Sequence, residues 1–300
     1  MTSIPVELLI NDSELEPTAL DALRGDPAAG PVTASPLRPV HNGFRAFINA
    51  ERFDVSEIAI VTLLQAVASG KKVLFLPLTA LGRYQHHTLI STKDLGVEDL
   101  PGRTVGVRAW SQTTGVWVRG FLAEQYGIDL TTVGWRTYSA GHVPEQPEPA
   151  WVTRAAEGHQ LAGDLLSGAV DFAMMGNDRP DAAGVHSVID SPDTVARDWA
   201  TRVGYIPVNH VFGVSEALAG ALPRAVCAAY DALAERLAVR NADADGLPMF
   251  PFGFAGLRPA VTAAARFAWD QGLLPRQVEY DELVDRTCAA LGVRPDRLGG

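Results

Sequence analysis

This 300-residue sequence contains little cysteine, and its two cysteines form no recognisable motif. Cys227 and Cys288 both lie in alanine-rich stretches with helical character, outside any Cys-x-x-Cys pattern. Free cysteine is among the most buried residue types in proteins. We therefore expect two buried, reduced thiols that carry no chemistry.

Clustered basic residues and long apolar runs are also missing. The formal net charge is −10 and no basic run is longer than Lys71-Lys72, whereas binding to phosphate backbones requires clustered lysine and arginine. The sequence contains no stretch of about 18 apolar residues, the length needed to span a bilayer. The segment Met1–Ile10 lacks the basic, apolar and cleavage regions of a secretory signal. We expect a cytoplasmic protein without nucleic-acid or membrane partners.

Motifs for metals, nucleotides and serine nucleophiles are absent as well. The seven histidines are scattered and form no His-Glu-x-x-His pattern. No Gly-x-Gly-x-x-Gly or Walker loop follows a strand-like segment, and there is no Gly-x-Ser-x-Gly elbow. The sequence therefore predicts a site that uses neither a metal ion nor a cofactor.

What the sequence does contain is an alternation of strand and helix patterns through most of its length, which favours an α/β architecture. The predicted strands are Val6–Ile10, Val55–Ile60, Val73–Pro77, Thr88–Ser91, Thr104–Arg108, Val133–Tyr138, Ala169–Met174 and Tyr205–Val214. The predicted helices are Phe44–Glu51, Thr62–Ser69, Gly115–Tyr126, Leu161–Ser167, Pro223–Val239, Pro259–Gln271 and Tyr280–Leu291. Stretches rich in proline, glycine and acidic residues predict loops at 25–42, 140–149 and 241–248.

The segment 99–114 combines a turn, a short buried strand and a polar helix start. Trp110 ends the strand, and the helix opens with the polar residues Ser111, Gln112, Thr113 and Thr114. Serine or threonine at a helix start caps free backbone N–H groups, and the same groups attract anions. Ligands of open α/β sheets also lie beyond the carboxyl ends of strands. A plain N-cap without a ligand and a substrate-binding site are both compatible with this pattern.

Five segments, taken in order, resemble the 4,5-dihydroxyphthalate decarboxylase family. They are Phe53-Asp54-Val55-Ser56-Glu57, Asp99-Leu100-Pro101-Gly102-Arg103-Thr104-Val105-Gly106-Val107, Val116-Trp117-Val118-Arg119-Gly120, Tyr205-Ile206-Pro207-Val208-Asn209-His210 and Asp270-Gln271-Gly272-Leu273-Leu274-Pro275-Arg276. The matches cover roughly residues 5 to 290, and the third and fifth segments are the most specific.

The resemblance implies an α/β fold like that of the type 2 periplasmic binding proteins, in which two lobes joined by a double crossover enclose an interdomain cleft. It places residues 1–85 and 212–300 in lobe one and residues 86–211 in lobe two. The crossings are expected near His86–Ser91 and Tyr205–Phe212. Closure of such lobes around a ligand is a known mode of motion.

The resemblance also indicates residues for catalysis on the first crossing. Arg83 and His87 match the family pattern, whereas His86 stands where the family carries an arginine. Adjacent residues on a strand point to opposite faces, so only one of the two histidines is expected to face the cleft. We favour His87 as proton donor or hydroxyl contact and Arg83 as carboxylate clamp, with His86 among the substrate-binding residues. A solvated arginine and a surface histidine pair are the structural alternatives.

Four further residues are expected near the cleft. His210 matches the family's Pro-x-x-His pattern, and Glu57 matches a family glutamate. Both are candidate catalytic residues, with a hydrogen-bonded hinge histidine and a helix-capping carboxylate as the alternatives. Asp12 and Ser13, which follow the first strand, are candidates for substrate binding at the cleft mouth. Arg119 also matches, but its place inside a helix favours a stabilising salt bridge.

Departures from the family pattern argue against its namesake substrate. The loop before the third segment differs: an acidic residue is lost, and Trp110 replaces a tyrosine. Tryptophan offers a larger stacking face but no phenolic hydroxyl. With His86 in place of an arginine, the ligand is expected to carry one carboxylate rather than two, or to be another aromatic acid.

The sequence thus predicts a cofactor-independent, decarboxylase-like lyase for an aromatic or cyclic carboxylic acid, with a small-molecule carboxylate as its partner. Two alternatives remain. One is a non-catalytic binding protein or sensor for a small carboxylate, and the other is a lyase similar to chorismate dehydratase. The oligomeric state stays open, with a homodimer among the options.

Overall fold

The computed structural model describes residues 3–242 and 246–300. The chain divides into two compact units. Unit 1 comprises residues 1–83, 208–265 and 276–300, and unit 2 comprises residues 84–207 and 266–275. The stretch 266–275 thus groups with unit 2, although the residues on both sides of it belong to unit 1.

Strands and helices alternate along the chain, which confirms the predicted α/β class. The strands are β1 (Ile4–Leu9), β2 (Ala29–Ala34), β3 (Val55–Ala59), β4 (Val73–Gly82), β5 (Leu89–Ser91), β6 (Thr104–Val107), β7 (Gly134–Thr137), β8 (Val152–Arg154), β9 (Phe172–Met174), β10 (His186–Ser187) and β11 (Val208–Ser215). The helices are α1 (Leu15–Arg24), α2 (His41–Ala50), α3 (Ile60–Ala68), α4 (Thr113–Tyr126), α5 (Leu161–Ser167), α6 (Pro192–Val203), α7 (Glu216–Ala221), α8 (Pro223–Asn241), α9 (Gly253–Asp270) and α10 (Tyr280–Leu291).

Unit 1 contains a five-stranded sheet in the order β2-β1-β3-β11-β4. β1 runs parallel to β2 and β3, and β11 runs antiparallel to β3 and β4. Every residue of β3 is buried, as expected for a strand covered on both faces. A carboxylate in such a strand, that of Glu57, is unusual and requires a partner.

Unit 2 contains a six-stranded sheet in the order β10-β5-β9-β6-β7-β8. β6 lies between its parallel neighbours β9 and β7, and Val107 pairs with Met174 of β9. The carboxyl ends of β6 and β9 therefore meet at the same edge, from which the chain continues into α4. Aromatic side chains form much of the core beside α4, where Trp117 packs edge-on against Phe267 with ring centroids 5.7 Å apart.

The predicted loop at 25–42 is wrong in part, because it contains β2. This strand lies at the edge of the sheet and pairs with β1 alone. Only Val32 of the strand is buried, so the segment lacks the apolar alternation that signals a strand. Pro31 is tolerated there because an edge strand has backbone groups outside the ladder. Of the predicted loop at 241–248, residues 243–245 lie outside the described residues.

The histidine pair at the expected first crossing does not lie on a strand. His86 and His87 lie in a 3-10 turn, His86–Thr88, and β5 begins only at Leu89. The argument that the two rings point to opposite faces of a strand is therefore wrong.

Within the part of the chain that the structure describes, no helix combines the length and apolar character needed to cross a membrane.

Candidate functional site

Glu57 and His210 form a hydrogen-bonded pair in unit 1. The Nδ1 atom of His210 lies 2.6 Å from Oε1 of Glu57. Glu57 is 5% exposed, and its second oxygen accepts a hydrogen bond of 3.0 Å from the backbone N–H of Asn11. A carboxylate oxygen accepts hydrogen bonds, so this contact is made by the form of His210 that has a proton on Nδ1. The buried carboxylate of β3 thus has the partners that its burial requires.

Strand register brings this pair together. His210 lies on β11 opposite Ala59 of β3, close to Glu57 on the same strand. Phe44 packs edge-on against the imidazole, with ring centroids 5.4 Å apart, and restricts its orientation. The His210 side chain remains 20% exposed. Its Nε2 atom has no hydrogen-bond partner among the described residues and is suited to proton transfer.

Arg83 lies at the same end of the unit 1 sheet. Gly82, the last residue of β4, pairs with Val208 of β11, and His210 pairs with Leu81 of β4. Arg83 therefore follows the strand two residues beyond the partner of His210. It is half-buried, a position compatible with binding a ligand anion.

Asp12 is engaged in structural contacts, while Ser13 beside it is exposed. Asp12 accepts hydrogen bonds from the backbone N–H groups of Glu14 and Leu15 at the start of α1, and its two oxygens contact Arg240 at 2.8 Å. Burial by itself would raise the pKa of Asp12. The hydrogen bonds from Arg240 and from the backbone of Leu15 and Glu14, together with the charge of Arg240, outweigh this effect and lower the pKa of Asp12 to about 2. These contacts resemble a helix cap and a clamp between α1 and α8.

His86 lies in the interior of unit 2 and is 1% exposed. Its ring stacks on Phe121 with centroids 3.9 Å apart, and its Nε2 atom lies 3.0 Å from Oε1 of Gln125. Burial lowers the pKa of His86, the hydrogen bond that it donates to Gln125 opposes this, and the charge of His87 adds to the lowering. These contacts give His86 the environment of a core histidine, and His87 is the more exposed member of the pair.

The polar start of α4 is buried, with Ser111, Thr113 and Thr114 each less than a tenth exposed. The N-cap residue is Gln112, and it makes no side-chain cap hydrogen bond. The expectation that serine or threonine caps this helix is therefore wrong. The Oγ1 atom of Thr113 is buried without a hydrogen-bond partner among the described residues. Unsatisfied donors at a helix start are the feature that attracts an anion.

Trp110 is packed into unit 2 and is 1% exposed. Its Nε1 atom donates a hydrogen bond to the carbonyl of Gln271 at 3.0 Å. One face of the ring is covered by the guanidinium of Arg119, 3.6 Å from the ring centroid. Trp135 and Trp151 pack edge-on against the same ring. The large stacking face expected for a ligand is thus occupied in part by an arginine.

Arg119 makes no salt bridge among the described residues, and the predicted stabilising ion pair is wrong. Its Nε atom donates to Oε1 of Gln271 at 2.7 Å, and its Nη2 atom donates to the carbonyl of Trp110 at 2.6 Å. The side chain is fully buried. Burial holds the pKa of the Arg119 guanidinium well below its usual range. Neutral acceptors thus bind two of its nitrogens, where an anion is the usual partner of a guanidinium, and Nη1 is buried without a hydrogen-bond partner among the described residues.

Arg108 was not selected from the sequence as a candidate site residue. It directly follows β6 and is half-buried. Its backbone carbonyl accepts hydrogen bonds from the N–H groups of Tyr138 and Ser139, whereas its side chain makes no hydrogen bond or ion pair among the described residues. Burial lowers the pKa of Arg108, and the charge of Asp178 opposes this effect. The sequence signal that could have identified Arg108 is a cationic residue between a buried strand and a polar helix start.

No group of three or more histidine, cysteine, aspartate or glutamate side chains suited to a metal ion occurs within residues 3–242 and 246–300. Both cysteines are free and buried.

The chain is similar to known proteins in sequence and in fold. No family model matches the chain. A 4,5-dihydroxyphthalate decarboxylase of Comamonas testosteroni is 26% identical over 268 residues, which cover 82% of this chain and 79% of that protein. A protein of the same name from Pseudomonas putida is 28% identical over 180 residues, which cover 54% of this chain and 68% of that protein.

Among solved structures, two sulfonate-binding proteins share the fold. The periplasmic aliphatic sulphonate-binding protein SsuA of Escherichia coli has a TM-score of 0.53 at 12% identity, covering 94% of this chain and 97% of that one. A periplasmic sulfonate-binding protein of Methylobacillus flagellatus also has a TM-score of 0.53 at 12% identity, covering 98% and 96%. The chain is therefore similar to the 4,5-dihydroxyphthalate decarboxylases over most of its length, and its fold is the two-lobed α/β fold of the periplasmic binding proteins.

Proposed function

We propose that this protein is a decarboxylase-like lyase that acts on an aromatic or cyclic carboxylic acid, with His210 as its proton donor. The observation that carries the proposal is the 2.6 Å contact between Nδ1 of His210 and Oε1 of Glu57. A buried carboxylate that orients a partly exposed imidazole is an arrangement suited to general acid catalysis. The similarity to proteins named as decarboxylases supports this choice of reaction.

The reaction replaces a carboxylate on a ring carbon by a proton. His210 in its protonated form donates the Nε2 proton to the ring carbon that bears the carboxylate. The bond between that carbon and the carboxylate then breaks, its electron pair returns to the ring, and CO2 leaves. His210 is left neutral, with its remaining proton on Nδ1 toward Glu57, and takes up a new proton from solvent.

Arg83 is the candidate for holding the substrate carboxylate before it leaves. A guanidinium matches a carboxylate with two parallel hydrogen bonds. Its place after β4 puts it at the same end of the unit 1 sheet as His210. His87 stays a second candidate proton donor on the basis of the sequence, and it is tested separately.

The experiment is a thermal-shift screen against aromatic monocarboxylates and dicarboxylates, followed by a CO2-release assay on the acids that bind. His210→Asn and Glu57→Gln are expected to lower kcat by about 10²- to 10⁴-fold, the usual contribution of a positioned acid. Arg83→Ala is expected to raise KM more than it lowers kcat. His87→Ala tests the second candidate and is expected to lose turnover while keeping its fold if His87 donates the proton.

His186→Asn provides the matched control, because His186 is exposed on β10 and is not a candidate site residue. It is expected to keep wild-type turnover. Unchanged turnover in His210→Asn would remove the proposed acid, whatever the outcome for His87.

A binding protein for a small carboxylate is the second candidate, favoured by the fold shared with sulfonate-binding proteins. Tight binding of an acid without CO2 release would support it over the lyase. The cytoplasmic location predicted from the sequence stays a prediction, which cell fractionation would check.

A further inference from the structure

A cavity in unit 2 lies beside Tyr126, the last residue of α4, and so at the opposite end of this helix from its polar start. Its volume is about 830 Å³, a size typical of small-molecule sites. The segment 94–98, β10 and the chain that leads into α6 form the rest of its wall. Among the described residues that line it, none belongs to the candidate catalytic set.

The floor of the cavity is apolar. Val97, Val188 and Ile189 line it and are each less than a tenth exposed. Three half-buried side chains complete the apolar lining: Leu95, Ile128 and Val195. A ligand with an apolar body would lose contact with water against this surface, which favours binding.

The exposed part of the lining is acidic. The side chains of Asp94, Glu98 and Asp190 make no hydrogen bond or ion pair among the described residues. Within the described part of the chain, neither lysine nor arginine lines the cavity. Its one histidine, His186, is exposed and has its Nδ1 atom 2.9 Å from the carbonyl oxygen of Gly184. Charges of one sign around an apolar recess focus the electrostatic potential there, and this potential attracts cations.

The end of α4 favours the same charge of ligand. A helix C-terminus carries a partial negative charge, and no basic residue lies in the last turn of α4. Tyr126 is half-buried at this end, and burial raises the pKa of its hydroxyl group, so the ring is uncharged at neutral pH. The face of such a ring attracts a cation.

We propose that this cavity binds a small primary ammonium compound with an apolar body. The ammonium group lies among the carboxylates of Asp94, Glu98 and Asp190, and the apolar body contacts Val188 and Ile189. An ammonium group donates hydrogen bonds and accepts none, so carboxylates without other partners suit it. The inference is independent of the proposed lyase activity, whose carboxylic acid substrate carries the opposite charge.

The test is a ligand-detected NMR titration of the full-length protein with phenethylammonium and with 2-phenylethanol, its uncharged counterpart. Phenethylammonium is expected to bind with a Kd below about 10 mM, a weak affinity that reflects its few heavy atoms. The uncharged alcohol is expected to bind about 10-fold more weakly or less.

Variants then locate the site. Asp94→Asn, Glu98→Gln and Asp190→Asn should each weaken binding of phenethylammonium by about 3-fold, because each charge is exposed, and by about 10- to 30-fold when combined. Val195→Phe keeps every charge but fills part of the cavity, and it should weaken binding of both probes. Asp285→Asn is the matched control, because it removes the same charge at an exposed position on α10 in unit 1. It is expected to bind as wild type does.

Wild-type affinity in the combined variant overturns the proposal, as does equal affinity of the wild type for the two probes. A wild type that shows no binding of phenethylammonium at about 10 mM overturns it as well. A loss in Asp285→Asn equal to that in Asp190→Asn would reveal a general effect of net charge and would remove the assigned site. Undiminished binding in a folded Val195→Phe would place the ligand outside the cavity.

Discussion

His86 shows at the scale of one residue how a polar side chain is held inside unit 2. The ring is stacked on Phe121 and is only 1% exposed, with one nitrogen hydrogen-bonded to Gln125. Its other nitrogen, Nδ1, is buried without a partner among the described residues. Protonation would place an unpaired charge in this environment, which burial disfavours. The neutral ring is therefore the form compatible with the folded state.

This predicts a loss of stability in mild acid that depends on His86. Burial lowers the pKa of His86 below its ordinary value of 6.5, so the unfolded chain takes up a proton that the folded chain does not. The free energy of unfolding should fall as the pH drops below 6.5 and should be insensitive to this group above it. In His86→Phe that part of the pH dependence should disappear.

Urea unfolding at about pH 8 and about pH 5.5 measures the free energy of unfolding of the wild type and of His86→Phe. The difference between their pH dependences reports on His86, since all other titratable groups are common to both proteins. Equal pH dependence in the two proteins would contradict the assignment.

At the scale of elements, α4 is a helix buried on nearly every side. Its first ten residues, Thr113–Leu122, are all buried, so it lacks the one-sided apolar pattern of a surface helix. Glycines make this packing possible. Gly115 leaves space for the Arg119 guanidinium, and Gly120 lies against the ring of Phe267.

Gly120→Ala should therefore destabilise the protein although alanine is the better helix former. A Cβ at this position would overlap the Phe267 ring, and overpacking of this kind costs about 1–3 kcal/mol. Gly163→Ala is the matched change, because Gly163 is exposed on α5 with no atom close to its Cβ position. It should stabilise by about 0.5–1 kcal/mol. Chemical unfolding of both variants tests the contrast, and an equal effect in the two would contradict this account of α4.

At the scale of the whole molecule, the sheet of unit 1 is assembled from distant parts of the chain. β11 lies between β3 and β4 and is hydrogen-bonded to both. These two strands belong to the first 83 residues and do not pair with each other. α10 also belongs to unit 1, where the hydroxyl of Thr287 donates to the carbonyl of Phe75 at 2.8 Å. Unit 1 can therefore form only after most of the chain is available.

A fragment of residues 1–83 should consequently show no cooperative unfolding transition. Without β11, the sheet is divided into β2-β1-β3 and an isolated β4. A chain that joins residue 83 to residue 208 through a short glycine-serine linker should recover cooperativity, because Gly82 and Val208 are paired neighbours in the sheet. Circular dichroism during urea unfolding distinguishes the two. A cooperative transition in the fragment alone would contradict the proposed dependence on β11.

The sequence by itself determined the α/β class and many of the buried elements, since runs such as Val73–Pro77 carry an apolar pattern that is local. The bounds of α5 and α10 agree with the predicted ones for the same reason. The sequence was less informative at β2, where a single buried residue leaves almost no apolar pattern to detect. The 3-10 turn at His86–Thr88 was also missed, because three residues are too few to show a helical period.

Only the tertiary structure decided which polar groups meet. The contact between Glu57 and His210 joins residues 153 positions apart, and that between Arg119 and Gln271 joins residues 152 apart. Such pairings depend on strand register and on which groups replace water as hydrogen-bond partners when a side chain is buried. A local sequence pattern contains neither. The sequence supplied candidate residues, but only the fold determined which polar side chains acquired a partner and which, like that of Arg108, did not.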